Sequence, residues 1–181
     1  MKKVGIILAN GFEEIEAVTP IDVLRRAGLE VVTLGLNGKT IRGGHNIIIE
    51  CDYEFNDYTG SLDALVLPGG MPGAENLSNS SGVLDLINRL HKEGKYICAL
   101  CASPGVVLGK TALLKNRNFT CYPGFEGRVE GGHFLEDRVV VHGNIITSRG
   151  PGTALEFSLA IVSELISSEV SNKLCNGMIV K

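Results

Sequence analysis

Runs of apolar residues alternate along the chain with segments in which apolar positions recur at helical spacing. The apolar runs predict strands at Lys3–Leu8, Glu30–Leu36, Asp63–Pro68, Tyr96–Leu100 and Phe119–Pro123. Helical spacing predicts helices at about Glu13–Ala27, at about Ser81–Lys92, just after Pro104 and at Pro151–Leu165. The runs KVGIIL, DALVLP and YICAL are apolar on both faces, which is typical of a central parallel sheet. The alternation therefore predicts an α/β fold with a doubly wound, mainly parallel sheet and helices on both faces.

Two further segments predict β-hairpins. Asn37–Glu50 contains Asn-Gly and Gly-Gly turn signals, and Val139–Ser148 turns around His-Gly-Asn. In doubly wound folds, ligands bind outside the carboxyl ends of the strands. The segments that begin at such ends are ANGFEE, PGGMPG and CASPG, and candidate chemistry is sought there.

Length, charge and cysteine content narrow the functional classes. A chain of 181 residues predicts one domain, 1–181. The net charge of −3 and the absence of a basic run longer than Arg25–Arg26 argue against a nucleic-acid partner, which needs a basic face. No apolar run approaches the roughly 18 residues of a membrane span, so no membrane partner is expected. The five cysteines are odd in number, and several lie in apolar runs, which indicates reduced thiols in a cytoplasm.

Cys101 stands where the apolar run YICAL ends and a Ser-Pro-Gly turn begins. If Tyr96–Leu100 is a strand and Pro104 lies in the first turn of a helix, Cys101 occupies a sharp strand-to-helix corner with its side chain exposed. Free backbone N–H groups and the helix dipole there favour the reactive thiolate. The alternative is that Cys101 is simply a small buried apolar residue.

Cys98 and Cys101 also form a C-x-x-C pattern. A thioredoxin-type pair opens a helix directly, whereas Cys98 lies inside the predicted strand, so the two side chains diverge. Zinc would need a second pair of ligands, and the other cysteines and the four histidines form no such doublet. We therefore expect neither a redox pair nor a metal site, and none of the histidines is a candidate.

Glu16 is the acid of the first predicted helix that is expected to face inward. At about 100° per residue it shares its sector with apolar or uncharged residues, namely Phe12, Thr19, Pro20, Val23 and Ala27. Glu14 is expected near Arg25 on a solvated face. A buried carboxyl has a raised pKa and can donate a hydrogen bond to a neighbouring anion. The alternatives are that Glu16 pairs with Arg26 or caps a loop.

Gly69 and Gly70 follow the strand DALVLP in the turn LPGGMPG. Their backbone N–H groups, with that of Ala102, are placed to stabilise an oxyanion. Taken alone, a Gly-Gly pair is also compatible with an ordinary turn. A phosphate-binding loop is not indicated, because the chain has no G-x-x-x-x-G-K-[ST] motif.

Four segments together resemble the ThiJ/PfpI superfamily, and most closely its branch that contains the parkinsonism-associated deglycase and its bacterial homologues. They are GFEEIEAVTPIDVLRRAG, LPGGMPGAENL, ICALCASP and TSRGPGTALEFSLAIVSEL, and they span nearly the whole chain in the family order. The resemblance implies a flavodoxin-like fold and a homodimer. By motif position it implies that Cys101 is the reactive cysteine on a nucleophile elbow and that Glu16 is hydrogen-bonded to it.

The resemblance also implies further site residues. Gly69 and Gly70 would direct amides at the sulfur or at a substrate oxygen. Arg26, Arg149 and Pro151 match family segments near the pocket and the dimer interface. The implied activities are conversion of methylglyoxal or glyoxal to hydroxy acids and deglycation of early glycation adducts, both without a cofactor, together with chaperone action and oxidative-stress sensing.

Two positions depart from the family pattern. Where many relatives have a histidine beside the cysteine, this chain has Tyr122, which can donate a hydrogen bond but is a poor base near neutral pH. Ala102 follows the cysteine where the protease-like branch has a histidine, so a Cys-His peptidase would lack its base.

Three hypotheses follow. In the first, the protein is an enzyme in which Cys101 attacks a small reactive carbonyl substrate and Glu16 moves protons. In the second, an oxidant converts Cys101 to a sulfinate, and the protein is a redox sensor or chaperone without significant turnover. In the third, all five cysteines are structural.

Overall fold

In the computed structural model, which describes residues 1–180, strands and helices alternate along the chain. The strands are β1 (Lys3–Leu8), β2 (Glu30–Gly35), β3 (Thr40–Arg42), β4 (Ile48–Glu50), β5 (Tyr53–Glu54), β6 (Ala64–Leu67), β7 (Tyr96–Leu100), β8 (Asn118–Phe119), β9 (His133–Phe134), β10 (Val139–His142) and β11 (Ile145–Ser148). The α-helices are α1 (Glu14–Arg26), α2 (Gly73–Ser78), α3 (Ser81–Lys92), α4 (Ser103–Val106), α5 (Ala154–Leu165) and α6 (Ser168–Gly177).

Seven strands form the main sheet, in the order β10-β11-β7-β6-β1-β2-β5. All neighbouring pairs in it are parallel except β10 with β11, which closes one edge as an antiparallel hairpin. The inner order β2-β1-β6-β7-β11 is that of a flavodoxin-like doubly wound sheet, whose ligands bind beyond the strands' carboxyl ends. The predicted α/β fold class is therefore confirmed.

The apolar runs of the central strands are explained by their burial. Every residue of β6 is buried, as are the last five residues of β1 and the last four of β7. Helix α3 packs on β6 and β7, while α1 packs against α5, which also carries α6. None of the helices found between residues 1 and 180 is long and apolar enough to cross a membrane.

Both predicted hairpins are confirmed, as β3–β4 and β10–β11. The predicted strand Phe119–Pro123 is wrong beyond its first residue. The Thr120 N–H donates to the Thr147 hydroxyl and the Tyr122 N–H to the Cys101 carbonyl, so these amides find partners outside a strand ladder. The last predicted helix begins as a short 3₁₀ turn, Pro151–Thr153, and continues as α5.

Candidate active site

Cys101 occupies the corner between β7 and α4 in a left-handed backbone conformation, with φ of 61°. Such a φ is uncommon for a residue with a side chain and is typical of strained functional positions. Two hydrogen bonds hold the corner: the Cys101 N–H donates to the Ser148 carbonyl at 2.9 Å, and its carbonyl accepts from the Tyr122 N–H at 2.8 Å. The predicted corner is present, but the side chain is less exposed than expected, since only 8% of Cys101 is accessible.

Glu16 faces inward from the first turns of α1 and is fully buried. Its Oε2 accepts the N–H of Gly69 at 2.8 Å. Its Oε1 is buried without a hydrogen-bond partner among residues 1–180, and the carboxyl group lies close enough to the Cys101 thiol for each group to shift the pKa of the other. The inward orientation predicted from the helical pattern is therefore present in the structure.

The turn after β6 brings the backbone of Gly69 and Gly70 against this pair. A side-chain Cβ at Gly69 would lie 2.7 Å from the Cβ of Cys101 and 2.8 Å from Glu16 Oε2, so only glycine fits there without a shift. The N–H groups of Gly70 and Ala102 donate to the Cys101 sulfur. Glu16 already accepts the Gly69 N–H, so Gly70 and Ala102 are the two amides directed at the sulfur.

The Cys101–Glu16 pair titrates as a coupled unit. Burial raises the pKa of Glu16 to about 7, against an opposing effect of its hydrogen bonds with Cys101 and Gly69. Burial, followed by the charge and the hydrogen bond of Glu16, raises the pKa of the Cys101 thiol, while the amides of Gly70 and Ala102 lower it. The expected lowering of the thiol pKa is thus wrong, because burial outweighs the two amides and a charged Glu16 raises the pKa further. Protonation of Glu16 removes the repulsion and turns its carboxyl into a donor to sulfur.

Two other predicted residues, Tyr122 and Arg149, lie beside the corner, and neither side chain forms a hydrogen bond with Cys101. Tyr122 is bound to Cys101 through the backbone, and its half-exposed ring lies against Gly150. Arg149 follows Ser148, and its guanidinium lies 5.6 Å from the centroid of the Phe134 ring. Burial raises the pKa of Cys121, and the charge of Arg149 partly opposes this rise. The Nη1 atom of Arg149 is buried without a hydrogen-bond partner among residues 1–180.

Pro151 and Arg26 border other concavities. Pro151 lines a cavity of about 430 Å³ together with Ile15 and Val18 of α1, two apolar side chains that are about half exposed. Arg26 forms an ion pair with Asp22 at 2.6 Å and lines a different cavity, beside α6. Arg26 lies ten positions after Glu16 on α1, which corresponds to about 15 Å along the helix axis. Because Glu16 is the residue of α1 that lies beside Cys101, the structure does not bring Arg26 to Cys101.

The sequence missed the role of Glu14, whose predicted position on a solvated face is wrong. Only 4% of Glu14 is exposed, and Oε1 accepts the N–H groups of His45 at 2.6 Å and Ile47 at 3.4 Å. His45 Nδ1 lies 2.9 Å from Glu14 Oε2 and 3.7 Å from Glu13 Oε2. One carboxylate oxygen each of Glu13 and Glu14 and one ring nitrogen of His45 lie within 4.8 Å of one another. The sequence pattern around Glu14 does not reveal this contact, because His45 is 31 residues away along the chain.

All five cysteines are free thiols. Cys98 lies fully buried inside β7, and burial raises its pKa, followed by the charge of Glu164. Burial likewise raises the pKa of Cys51 to about 11 and that of Cys121 to about 12. Cys101 differs from these three in its left-handed corner position and in accepting two backbone amides.

Comparison with known proteins places this arrangement in context. The profile of the DJ-1/PfpI family matches residues 2–164. The chain is 38% identical to Parkinson disease protein 7 homolog of Danio rerio, over 99% of this chain and 98% of that protein. It is 35% identical to glutathione-independent glyoxalase DJR-1.2 of Caenorhabditis elegans, over 90% of this chain and 87% of that one. It is also 35% identical to protein DJ-1 homolog B of Arabidopsis thaliana, but spans only 42% of that protein's length.

Among solved structures, oxidized DJ-1 of Toxoplasma gondii superposes with a TM-score of 0.95 at 35% sequence identity. The similarity covers 99% of this chain and 98% of that one. The shared fold therefore extends over the whole described chain, including the corner that carries Cys101.

Proposed function

Since the chain belongs to the DJ-1/PfpI family, we propose that it is a cysteine-dependent, cofactor-free glyoxalase or deglycase that acts on methylglyoxal, glyoxal or early glycation adducts. The observation that carries the proposal is the fully buried Glu16 carboxyl beside the Cys101 thiol, at a corner where two amides converge on the sulfur. A nucleophile paired with a general base is the arrangement that covalent catalysis requires. The relative from Caenorhabditis elegans named a glutathione-independent glyoxalase supports the reaction class.

The first step is attack of the Cys101 sulfur on the aldehyde carbon. Glu16, with a pKa of about 7, is matched to accept a proton at neutral pH. As the carbon–sulfur bond forms, the thiol proton passes to the Glu16 carboxylate and from there to the carbonyl oxygen. The product is a hemithioacetal.

The second step moves a proton between the two carbons. Glu16 removes the proton from the carbon that bears sulfur and returns it to the neighbouring carbon. The hydroxyl proton on the first carbon's oxygen moves to the oxygen of the neighbouring carbon, and together these transfers convert the hemithioacetal to a thioester. Water then hydrolyses the thioester, so that one methylglyoxal and one water yield one lactate, and Cys101 is regenerated. The N–H groups of Gly70 and Ala102 lie at the sulfur and are positioned to stabilise the substrate oxygen as it gains charge.

Lactate formation from methylglyoxal by the purified protein tests this proposal. Wild type is expected to form lactate, and Cys101→Ala is expected to form none above the uncatalysed rate. Cys175→Ala is the matched control, because Cys175 lies on α6 and donates to the Val180 carbonyl instead of facing Glu16. A wild-type protein that makes no lactate, or a Cys101→Ala variant with wild-type activity, would contradict the proposal.

A second candidate function uses the same cysteine as an oxidative-stress sensor or redox-regulated chaperone. One observation favours it, namely the likeness to a protein whose solved structure is described as oxidized. Each hydroperoxide molecule transfers one oxygen atom to sulfur and leaves as water or an alcohol, so two of them give a sulfinate. Intact-mass analysis after mild peroxide treatment is expected to show two added oxygen atoms at Cys101. Oxidation of the other thiols with Cys101 unchanged would exclude the sensor.

The family resemblance also leads us to propose a homodimer. Ile15 and Val18 are 53% and 47% exposed on α1, and apolar side chains in such a position are commonly covered by a partner. Light scattering after size-exclusion chromatography is expected to give twice the chain mass of 19.3 kDa, and Ile15→Lys to shift it toward one chain mass. A wild-type protein of single-chain mass would contradict the dimer.

A further inference from the structure

The first turn of α1, which carries Glu16, is held between two loops. On one side the Glu13 N–H donates to the Gly69 carbonyl at 3.0 Å, while Glu16 accepts the Gly69 N–H at 2.8 Å. A Cβ at Gly70 would collide with the Glu13 backbone nitrogen, so this contact is close. The loop that supplies the Gly70 amide to the sulfur is thereby joined directly to the start of the helix.

On the other side lies the β3–β4 hairpin. The Gly44 N–H donates to the Phe12 carbonyl and the Gly11 N–H to the Arg42 carbonyl, each at 2.8 Å. The hairpin turn reaches the helix itself through one side chain, Glu14. That carboxylate receives the N–H groups of His45 and Ile47 on Oε1, and the His45 ring on Oε2.

Glu14 is a buried acid with its hydrogen bonds well satisfied. Burial raises the pKa of Glu14, but the hydrogen bonds from His45 and the backbone together outweigh burial, and the net pKa is lowered. Glu14 is therefore charged at neutral pH. The same contact, followed by the charges of Glu13 and Glu14, raises the pKa of His45. A Cβ at Gly43 would collide with the Glu14 carboxylate, so the hairpin backbone is packed against it.

We propose that Glu14 is a positioning residue of the site: by tying the hairpin turn to the first turn of α1, it fixes Glu16 in its water-excluded contact with Cys101. The proposal rests on the proposed role of Cys101 and Glu16 and assigns a determinant of their geometry. Glu14 lies two residues from Glu16 on the same helical turn, so a shift of the turn moves both. A turn released from the hairpin admits water to Glu16, and hydration favours its charged form.

The consequence for Cys101 follows from the coupling of the pair. When the pair holds one proton, Cys101 is a thiolate only in the molecules whose proton is on Glu16. The fraction of molecules in this state falls tenfold for each unit by which the pKa of Glu16 drops relative to that of Cys101. Loss of the Glu14 contact is therefore expected to slow alkylation of Cys101 at pH 7 by about tenfold for a drop of one unit. It also moves the lower inflection of the rate–pH profile to lower pH.

The test measures the rate of iodoacetamide alkylation of Cys101 from pH 5 to 10 in wild type, Glu14→Gln and Gly43→Ala, by mass spectrometry of the Cys101 peptide. Gly43→Ala displaces the Glu14 carboxylate without changing any charge, whereas Glu14→Gln removes the charge and one acceptor oxygen, so the two variants weaken the contact by different routes. Both variants are expected to react more slowly at pH 7 and to have the lower inflection displaced to lower pH.

Glu156→Gln is the matched control. Glu156 is likewise a carboxylate in the first turn of a helix that accepts hydrogen bonds from another segment, since it accepts Arg138 Nε at 3.0 and 2.8 Å just before β10. It lies on α5, whereas Glu16 lies on α1. The control is expected to leave the Cys101 profile unchanged, and a merely structural role for Glu14 would lower the melting temperature of Glu14→Gln and likewise leave the Cys101 profile unchanged.

Unchanged alkylation profiles in folded Glu14→Gln or Gly43→Ala would overturn the inference. If one variant fails to fold, the other decides. A wild-type Cys101 that does not react at all would instead contradict the proposed function, so the two failures are distinguishable.

Discussion

Replacement of Gly69 by alanine perturbs the candidate site at its most crowded point. The added Cβ would lie 2.7 Å from the Cys101 Cβ, 2.8 Å from Glu16 Oε2 and 2.9 Å from the Ala102 nitrogen. All three atoms belong to buried residues, so none can move freely. The backbone of Gly69 is not left-handed, so alanine meets steric crowding there and no added backbone strain.

The magnitude follows from these contacts. Inserting one methyl group into a packed interior costs about 1–3 kcal/mol. For a chain of this length, each kcal/mol lowers the melting temperature by about 2–4 °C, so a loss of about 2–12 °C is expected. The methyl group also displaces Glu16 from the Gly69 N–H. A hydrogen bond to a charged group contributes about 1.5–3 kcal/mol, which corresponds to an about ten- to hundredfold loss of activity.

Differential scanning calorimetry and lactate formation measure the two effects in the same preparations. Gly127→Ala is the matched control, because a Cβ there meets none of the described residues within 4 Å and the backbone is again not left-handed. It is expected to leave activity unchanged. Gly69→Ala that matches Gly127→Ala in melting temperature and activity would refute the packing described around Cys101 and Glu16.

Two further predictions concern pH. Because the pKa of Glu16 is raised from 4.5 to about 7, its contribution to stability is fully present below pH 4.5 and is lost as pH rises through 7. Glu16→Gln is therefore expected to be more stable than wild type above pH 7, by at most about 3 kcal/mol, since each unit of pKa shift corresponds to about 1.36 kcal/mol. The same variant is expected to lose at least about a hundredfold in the rate of lactate formation. Urea unfolding that shows wild type to be more stable at pH 8 would contradict the stability prediction. His91 has a pKa lowered from 6.5 by burial and then by the charge of Arg117, so its contribution is present above pH 6.5 and is lost as pH falls. His91→Gln is expected to flatten the loss of stability between pH 7 and pH 5, and parallel curves for variant and wild type would refute it.

The parts of the fold and site that were predictable depend on local pattern. Apolar runs identified β1, β6 and β7, because buried parallel strands need apolar side chains on both faces. The inward orientation of Glu16 was predictable because it is the acid in an otherwise uncharged sector of α1. The corner position of Cys101 was predictable because the apolar run stops at the residue that a turn follows.

The parts that were missed depend on contacts between distant segments. Glu14 looks like a surface acid until the β3–β4 hairpin brings His45 to it, and no local pattern encodes that approach. The sequence predicted the amides near the corner, which lower the pKa of Cys101. It did not predict the burial of the sulfur or the proximity of a charged Glu16, which raise that pKa and outweigh the amides. The strand predicted after Phe119 fails because its amides donate to Thr147 and Cys101 instead of to a neighbouring strand.

The shared titration of Cys101 and Glu16 is the central claim about this site. The pH dependence of Cys101 alkylation in wild type and Glu16→Gln tests that claim most directly. In wild type the rate is expected to rise in two steps, the first near pH 7 as Glu16 loses its proton and the second at higher pH as the remaining shared proton leaves. In Glu16→Gln the step near pH 7 is expected to disappear. A single step near the ordinary cysteine pKa of about 8.5, identical in both proteins, would contradict the coupling of the two groups.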